Sequence, residues 1–458
     1  MIYNVLDYGI KPNTDEILSK KVQELIDLCA KEGGGTIVFP EGSYVLSTVF
    51  LKSKVKIEIQ RNATILGAPS FYDYCPEEKI DYPAYQDSSH TYYHCSMFVG
   101  IDLDDVAIFG KGTIDMRAVW DEDNVRDILH RGPKCIAFKN CTNVLFEGFS
   151  VINATDLAVY FAGCKNVKVN DLYLKVFIDG ISPDNCENVE ITNCRVESGD
   201  DGIVFKTSYT LNKIGYCKNI KVRNCFLKSR CTGIKFGTET NGCYFDFDIQ
   251  NCTIFDTRIQ AIGVESVDGA IVDNIKFKNI QMYNVNAPIF VHVGKRMRGP
   301  SGREIGKISN VTFENITAVG PYIPYNIVPW NYRSYKENDV IQYPWVFGQG
   351  AGVDFKDSDT DWQMTSNCCG LKGHELENIT FKNVYFCLDG GVQKFNKDVP
   401  EDAQDYPEVY VYGKILPAKA MYFRHIKGLN IENFKVETLR PDVREDLVYE
   451  KVENLSVK

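Results

Sequence analysis

Three aspartates have the type and spacing to do chemistry: Asp179 in "FIDG", and the adjacent Asp200 and Asp201 in "SGDDG". They lie in the stretch Phe177 to Lys206, where Asp184, Glu187, Glu190 and Glu197 stand among Val, Ile and Cys residues suited to a core. A solvated acidic face would scatter such charges among lysines; here the acids adjoin the interior. Carboxylates held a few ångströms apart repel one another, which raises the pKa of at least one of them. A protonated carboxyl beside an ionised one is a proton donor beside a proton acceptor, the pair that acid/base bond cleavage needs. Whether the three aspartates meet depends on what a separation of 200 − 179 = 21 residues builds.

That separation is close to a repeat. An Asn-(Val/Ile) signal recurs in "CTNVLFEGFSVIN", "CKNVKVNDLYLKV", "CENVEITNCRVES", "CKNIKVRNCFLKS", "VDNIKFKNIQMYN", "ISNVTFENITAVG" and "LENITFKNVYFCL", with a degenerate copy in "IKGLNIENFKVET". The first markers, Asn143, Asn166 and Asn188, are spaced by 23 and 22 residues. Later gaps are longer, as insertions in loops would make them. Within each unit Val or Ile alternates with polar residues, the period of a strand. A unit of this size cannot bury its own apolar face, so the units must stack, each strand pairing with its counterpart in the next coil. Asn suits a tight corner because it tolerates left-handed dihedrals. The pattern predicts an all-β parallel β-helix forming one domain over 1–458, with about ten coils.

In such a coil successive side chains alternate inward and outward. Acids beside apolar residues therefore point out, and a 21-residue step stacks Asp179 against Asp200 and Asp201. Such an exterior trio has the acid and base that glycoside hydrolysis requires.

The rest of the chain completes the outline. "NTDEILSKKVQELIDLCAKEGGG" predicts a capping helix within about 1–35, with Thr14 or Asp15 as N-cap, Ile17, Val22, Leu25, Ile26 and Cys29 as its apolar face, and Gly33 to Gly35 as its stop. The polar segment "PDVREDLVYEKVENLSVK" is expected to finish the other end. A Tyr-rich insertion at about 72–95 and one at 320–373 rich in Trp, Tyr, Gly and Pro break the repeat and could overhang a groove and stack on sugar faces. A net charge of −10 and the lack of any Lys/Arg-rich run argue against a nucleic acid or an anionic membrane as partner. No apolar run approaches the roughly 20 residues that span a bilayer. The opening "MIYNVLDYGIKPNTDE" shows no basic segment followed by an apolar one, so the expectation is a cytoplasmic protein. Of the 16 cysteines, Cys141, Cys164, Cys186 and Cys217 each open Cys-x-Asn-(Val/Ile), and Cys194, Cys225 and Cys252 each follow Asn. That placement reads as free, buried thiols; no C-x-x-C pair points to zinc. The adjacent Cys368 and Cys369 are the one pair whose spacing invites a check for redox chemistry, with a loop feature the favoured reading.

The chain resembles glycoside hydrolase family 28, the polygalacturonase-like right-handed parallel β-helix enzymes. The resemblance is carried by "FIDG" with Asp179 in the Asp place of the family's Asn-Thr-Asp-Gly motif, by "DGISPD", by "GDDGIVFK" at Gly199 to Lys206, by the gap between those motifs, and by "GGGTIVFPEGSYVLSTVFLKS". It implies that Asp200 is the general acid, that Asp179 and Asp201 hold and activate the attacking water, and that configuration is inverted, with no cofactor and no metal. Two motifs depart from the family. Its Gly-His-Gly loop corresponds to "SRCTGIKFGTE", with Cys231 or Thr232 in the His place. Its Arg-Ile-Lys motif corresponds to "QAIGVES", with Gly263 and Glu265 in the places of the two cations. An ionised Glu repels a uronate carboxylate but accepts hydrogen bonds from sugar hydroxyls.

The expectation is therefore an enzyme acting on pectin-derived oligosaccharides, of galacturonate or rhamnogalacturonan type, probing short fragments from one end. Lys206, Arg230, Lys235, Glu239, Arg258, Glu265, His292 and Arg296 are the candidate substrate-binding residues, with Arg131, Lys134, Arg424 and His425 as further cations. Two other readings compete: a β-helix polysaccharide lyase that binds calcium through the acids, and a non-catalytic carbohydrate-binding solenoid. The oligomeric state is not written in the sequence.

Overall fold

The computed structural model describes residues 1–86, 88–121, 131–320, 364–401 and 406–458, and the backbone alone of 335–337 and 340–342. The fold is the all-β right-handed parallel β-helix. Its chain groups into two compact units, Met1–Ser198 with Ser208–Lys213, and Gly199–Thr207 with Ile214–Lys458.

In the first unit the strand Thr142–Glu147 pairs in parallel with Lys165–Asn170, and that strand pairs with Glu187–Thr192. The register sets Val144 on Val167 and Val167 on Val189, and likewise Phe146, Val169 and Ile191, so equivalent positions of successive repeats lie side by side. Their side chains are buried, while the intervening Lys168 and Glu190 are exposed. Period-two alternation thus becomes a dry interior and a wet exterior.

The second unit repeats this with longer steps. Ile249 pairs with Phe277, Phe277 with Phe313, Phe313 with Phe381, and Phe381 with Ile431. The rings of Phe277, Phe313 and Phe381 stack along the interior with centroids 5.1 and 4.9 Å apart. Each such pair adds about 0.5–1.5 kcal/mol beyond its area burial.

The corners belong to asparagine. Asn143, Asn166 and Asn188 have φ of 55°, 55° and 57°, a region that costs most residues about 1–2 kcal/mol. The Asn166 amide donates to the Asn143 carbonyl oxygen, and Asn188 to Asn166, each over 3.1 Å. A second ladder runs Asn251, Asn279, Asn315, Asn383, Asn433, whose members are 28, 36, 68 and 50 residues apart in sequence. The ladder keeps its spacing in space while insertions lengthen it in sequence.

The capping helix is Ser19–Lys31, with Val22, Leu25, Ile26 and Cys29 buried. It begins later than Thr14 or Asp15 predicted, because Ile17 is first drawn into a parallel bridge with Val45 and no side chain caps the helix at Leu18. It ends where Gly33 and Gly34 take φ near +99° and +98°. The polar segment at the other end is itself a strand, Glu445–Val457, paired in parallel with Ala418–Arg440. All 16 cysteines are free, and all but Cys75, Cys243 and Cys387 are buried. Cys368 and Cys369 sit in the strand Ser366–Cys369. Burial pushes the Cys369 thiol up to about 12 and the Cys368 thiol well above its usual range, so both stay protonated and packed. Among the described residues no helix is long and apolar enough to cross a membrane. The predicted insertion at 320–373 falls, apart from Gly320, 364–373 and the two short backbone stretches named above, outside the described residues.

Candidate active site

Asp179 belongs to the first unit, in the turn between the strands Tyr173–Val176 and Ile181–Asp184. Backbone bonds hang this turn on the preceding coil: Phe177 N–H on the Ala154 carbonyl at 2.9 Å, and Ala158 N–H on the Asp179 carbonyl at 3.1 Å. The Asp179 side chain is buried. In the same unit Asp156 faces Arg131 at 3.7 Å and Lys134 at 3.6 Å and accepts from the Ser89 hydroxyl at 2.7 Å, so an acid already engages both of those cations. Asp184 accepts from the Ser208 amide and the Asn185 side chain, each at 2.9 Å, and from the Tyr160 hydroxyl at 3.3 Å, the pattern of a structural buried carboxylate.

Asp200 and Asp201 belong to the second unit, just before the strand Ile203–Thr207. The Gly202 and Ile203 amides bond the Thr232 and Gly233 carbonyls at 2.8 and 3.0 Å, and the Ser229 hydroxyl holds the Asp200 carbonyl at 2.5 Å. Asp200 is half-buried and Asp201 is 4% exposed. Asp201 accepts the Thr232 N–H at 3.1 Å through Oδ1, while Oδ2 lies 3.6 Å from Lys235 Nζ. Burial pushes the Asp201 carboxyl up, against the pull of Lys235 and Lys206. A half-open acid thus stands beside a buried one in a different electrostatic setting, which is how two carboxyls come to take different roles.

Cys231 stands in or next to the family's His place, and a donor atom of it lies within 4.8 Å of the Asp200 and Asp201 carboxyls. Burial, reinforced by Asp201, holds its thiol well above the usual range. Calcium takes six to eight oxygens; two aspartates and a neutral, soft thiol are a poor donor set for it.

Of the predicted binding residues, Lys206, Lys235, Glu239, Glu265 and His292 fall on the strands that follow, and Arg230, Arg258 and Arg296 in the segments between or after them. Ile203–Thr207 pairs with Ile234–Thr240, that strand with Gln260–Ser266, and that one with Ala287–Val293. All are buried along their whole length, so both of their faces are covered. Lys206 bonds Glu239 at 2.8 Å, and Arg298 reaches the other oxygen of Glu239. Arg296 is bidentate on Asp268, at 2.9 and 2.5 Å. Arg230 and Arg258 are buried. His292 Nδ1 lies 3.3 Å from the Tyr412 hydroxyl. Lys206, Glu239 and Arg296 are therefore tied to one another or to Asp268 and Arg298, and His292 is bound to a tyrosine. Arg424 and His425 turn to Glu401.

Glu265 differs from all of these. Its residue is 0% exposed, and neither carboxyl oxygen has a hydrogen-bond partner among the described residues. Burial pushes it well above the ordinary carboxyl range, with Lys235 pulling the other way and Glu408 adding to the rise. The shift runs toward the protonated form, which can donate as well as accept, where the sequence suggested an anion able only to accept.

Sequence reasoning missed the segment Tyr406–Leu416. Glu408 bonds Lys235 at 2.5 Å and receives the Gln260 side-chain amide; Tyr406 meets Thr238 at 3.1 Å, and Tyr412 meets His292. The aromatic run "YPEVYVYG" was the available signal, of the same kind that marked the insertion at 72–95.

The geometry can be set beside known proteins. An exopolygalacturonase of Arabidopsis thaliana is 23% identical over 334 residues, 69% of this chain and 72% of that one. A Vitis vinifera protein described as a probable polygalacturonase is 23% identical over 227 residues, and the match spans about half the length of either, 46% of each. In fold, the chain is similar to the crystal structure of a hyperthermoactive exopolygalacturonase from Thermotoga maritima, with a TM-score of 0.66, 20% identity, and coverage of 84% of this chain and 87% of that one. The family model described as Glycosyl hydrolases family 28 matches residues 29–321, a span that takes in Asp179, Asp200, Asp201 and the strands carrying Lys235 and Glu265, and the chain belongs to that family.

Proposed function

We propose that this member of a glycoside hydrolase family cleaves pectin-derived oligosaccharides, of galacturonate or rhamnogalacturonan type, by single-step inverting hydrolysis. Asp200 protonates the glycosidic oxygen, and Asp179 and Asp201 hold and activate the attacking water. The observation that carries this reading is the half-open Asp200 beside the buried Asp201, anchored by Thr232 N–H. Adjacent carboxyls in unequal settings supply a donor and an acceptor. The relatives' names support pectin as the source of the substrate. The calcium-dependent lyase reading loses ground to the donor chemistry of the Asp200, Asp201 and Cys231 group.

Glu265 bears on the sugar. A carboxyl shifted toward its protonated form repels a uronate less than a fully ionised one, so the loss of the family's two cations is compatible with a galacturonate substrate as well as with a neutral neighbouring sugar. Attack from one chain end on short fragments belongs to the same proposal.

The test is Asp200→Asn on a panel of pectic oligosaccharides, with product anomers followed by NMR. The expected outcome is turnover lower by about 10²–10⁴-fold with substrate binding kept, and inverted products from the unaltered enzyme. Full activity in Asp200→Asn, or unsaturated products from the unaltered protein, overturns the assignment.

A further inference from the structure

Lys235 is 3% exposed and has two acidic neighbours on opposite sides of the question of catalysis: Asp201 Oδ2 at 3.6 Å and Glu408 Oε1 at 2.5 Å. Glu408 comes from outside the span matched by the family model and lies in no strand. It is 1% exposed, and its other oxygen receives the Gln260 side-chain amide, while Gln260 Oε1 takes the Val409 N–H at 3.3 Å. The segment is pinned again by Asn367, whose amide donates to the Val409 carbonyl at 2.8 Å. A buried anion held from two directions fixes where the lysine ammonium sits, because a buried charge that left its partner would carry a large desolvation cost.

We propose that Glu408 and Lys235 are positioning residues for Asp201: the Tyr406–Leu416 segment supplies an anion that seats the Lys235 ammonium against the Asp201 carboxylate and so sets the pH at which that carboxylate can hold water. The groups that face Asp201 are Lys235 from the strand Ile234–Thr240, Lys206 from Ile203–Thr207, Asp200 and Cys231 from the turns, Glu265 from Gln260–Ser266, and Glu408 from the segment. Of these, Lys235 and Lys206 favour the ionised form and the acids oppose it. Lys235 itself is pulled down by burial, yet Asp201, Glu408 and Glu265 together hold it well above the usual range, so it stays charged.

The two partners then act with opposite signs. Removing the lysine charge takes an opposite charge from beside Asp201 and raises its titration; an opposite charge at this range is worth about 1–3 pH units. Removing only the Glu408 charge takes away an anion and leaves the ammonium to Asp201 alone, so the titration falls.

The inference rests on the reading of Asp201 as a water-holding base, and the experiment separates the two. Asp201 is titrated directly by carboxyl ¹³C NMR, and the acidic limb of kcat/KM on a galacturonate trisaccharide is measured in Glu408→Gln, Lys235→Met and the double variant Lys235→Met with Glu408→Leu. The double variant replaces the ion pair with apolar groups, a change that often preserves folding. The expected result is that the Asp201 titration and the acidic limb move down in Glu408→Gln and up in both variants that lack Lys235. If the titration moves so while the limb stays put, the positioning stands and the role given to Asp201 in the reaction falls. An Asp201 titration unchanged in all three, or displaced in one common direction, overturns the inference.

Discussion

Two coverings lie over buried strands, one in each unit, and they are built from different chemistry. In the first unit the insertion at 72–95 covers the strands around Tyr160 with neutral groups. Tyr93 stacks on Tyr160 at 5.5 Å and shares a 2.9 Å bond with Thr210, and Tyr82 donates to the Thr210 carbonyl at 2.7 Å. The ion pair of Glu78 with Lys139, at 3.1 Å, is partly exposed. In the second unit the Tyr406–Leu416 segment places a carboxylate against a lysine where almost no water reaches. A neutral covering loses stability in small steps as its contacts are removed. A charged one is nearly all or none, since a lone buried ion costs far more than the pair contributes.

The sharpest way to break that contrast is Glu408→Ala. It strips Lys235 and Gln260 of a shared acceptor in a closed setting, and the expected loss is about 3–5 kcal/mol, read as faster native-state hydrogen exchange in the strands Ile234–Thr240 and Gln260–Ser266. A loss below about 1 kcal/mol, the range of an exposed pair, would mean that water already enters the cluster and that the two coverings do not differ in kind.

Glu265→Gln probes the same cluster from the other side. Burial raises the folded-state pKa above the ordinary 4.5, so between those two values the native protein keeps a proton that the unfolded chain has lost. Stability is then fully present below about pH 4.5 and declines as pH rises through the folded-state value. Gln is neutral throughout. Thermal midpoints of the two proteins should coincide at pH 4 and separate above it in favour of Gln, by up to about 1.4 kcal/mol per pH unit. Parallel curves would show that Glu265 is ionised and has found a partner.

The contrast also explains what could be read from the sequence. Stacked coils print their geometry as periodicity: a corner that needs positive φ selects Asn each time, as at Asn143, Asn166 and Asn188, and an inward position selects Val, Ile or Phe. Asp200 and Asp201 were legible because their neighbours belong to that repeat. Glu408 was not, since it approaches Lys235 from 173 residues away on a segment with no period. Nor could alternation reveal that Glu265 is buried, because an outward-facing side chain is wet only where nothing lies on top of it. The helix start was misplaced for a related reason: Thr14 and Asp15 are good caps locally, but a long-range bridge to Val45 took the residues that follow.

Tyr93→Phe is the mildest test of the comparison. The substitution keeps the ring, and with it the stack on Tyr160 and the Lys139 ammonium 4.5 Å above its face, while removing the hydroxyl that meets Thr210. A single neutral hydrogen bond contributes about 0.5–1.5 kcal/mol, so the expected loss is about 1 kcal/mol, read from hydrogen exchange of the strands Val159–Ala162 and Ile181–Asp184. The Thr210 hydroxyl can turn to another acceptor, which favours the low end of that range, whereas Lys235 without Glu408 is a buried ammonium left facing Asp201 at 3.6 Å. If Tyr93→Phe instead costs as much as Glu408→Ala, the hydroxyl belongs to a cooperative network running through Tyr160 to Asp184, and the first covering is then as indivisible as the second, with hydrogen bonds doing there what charge does in its counterpart.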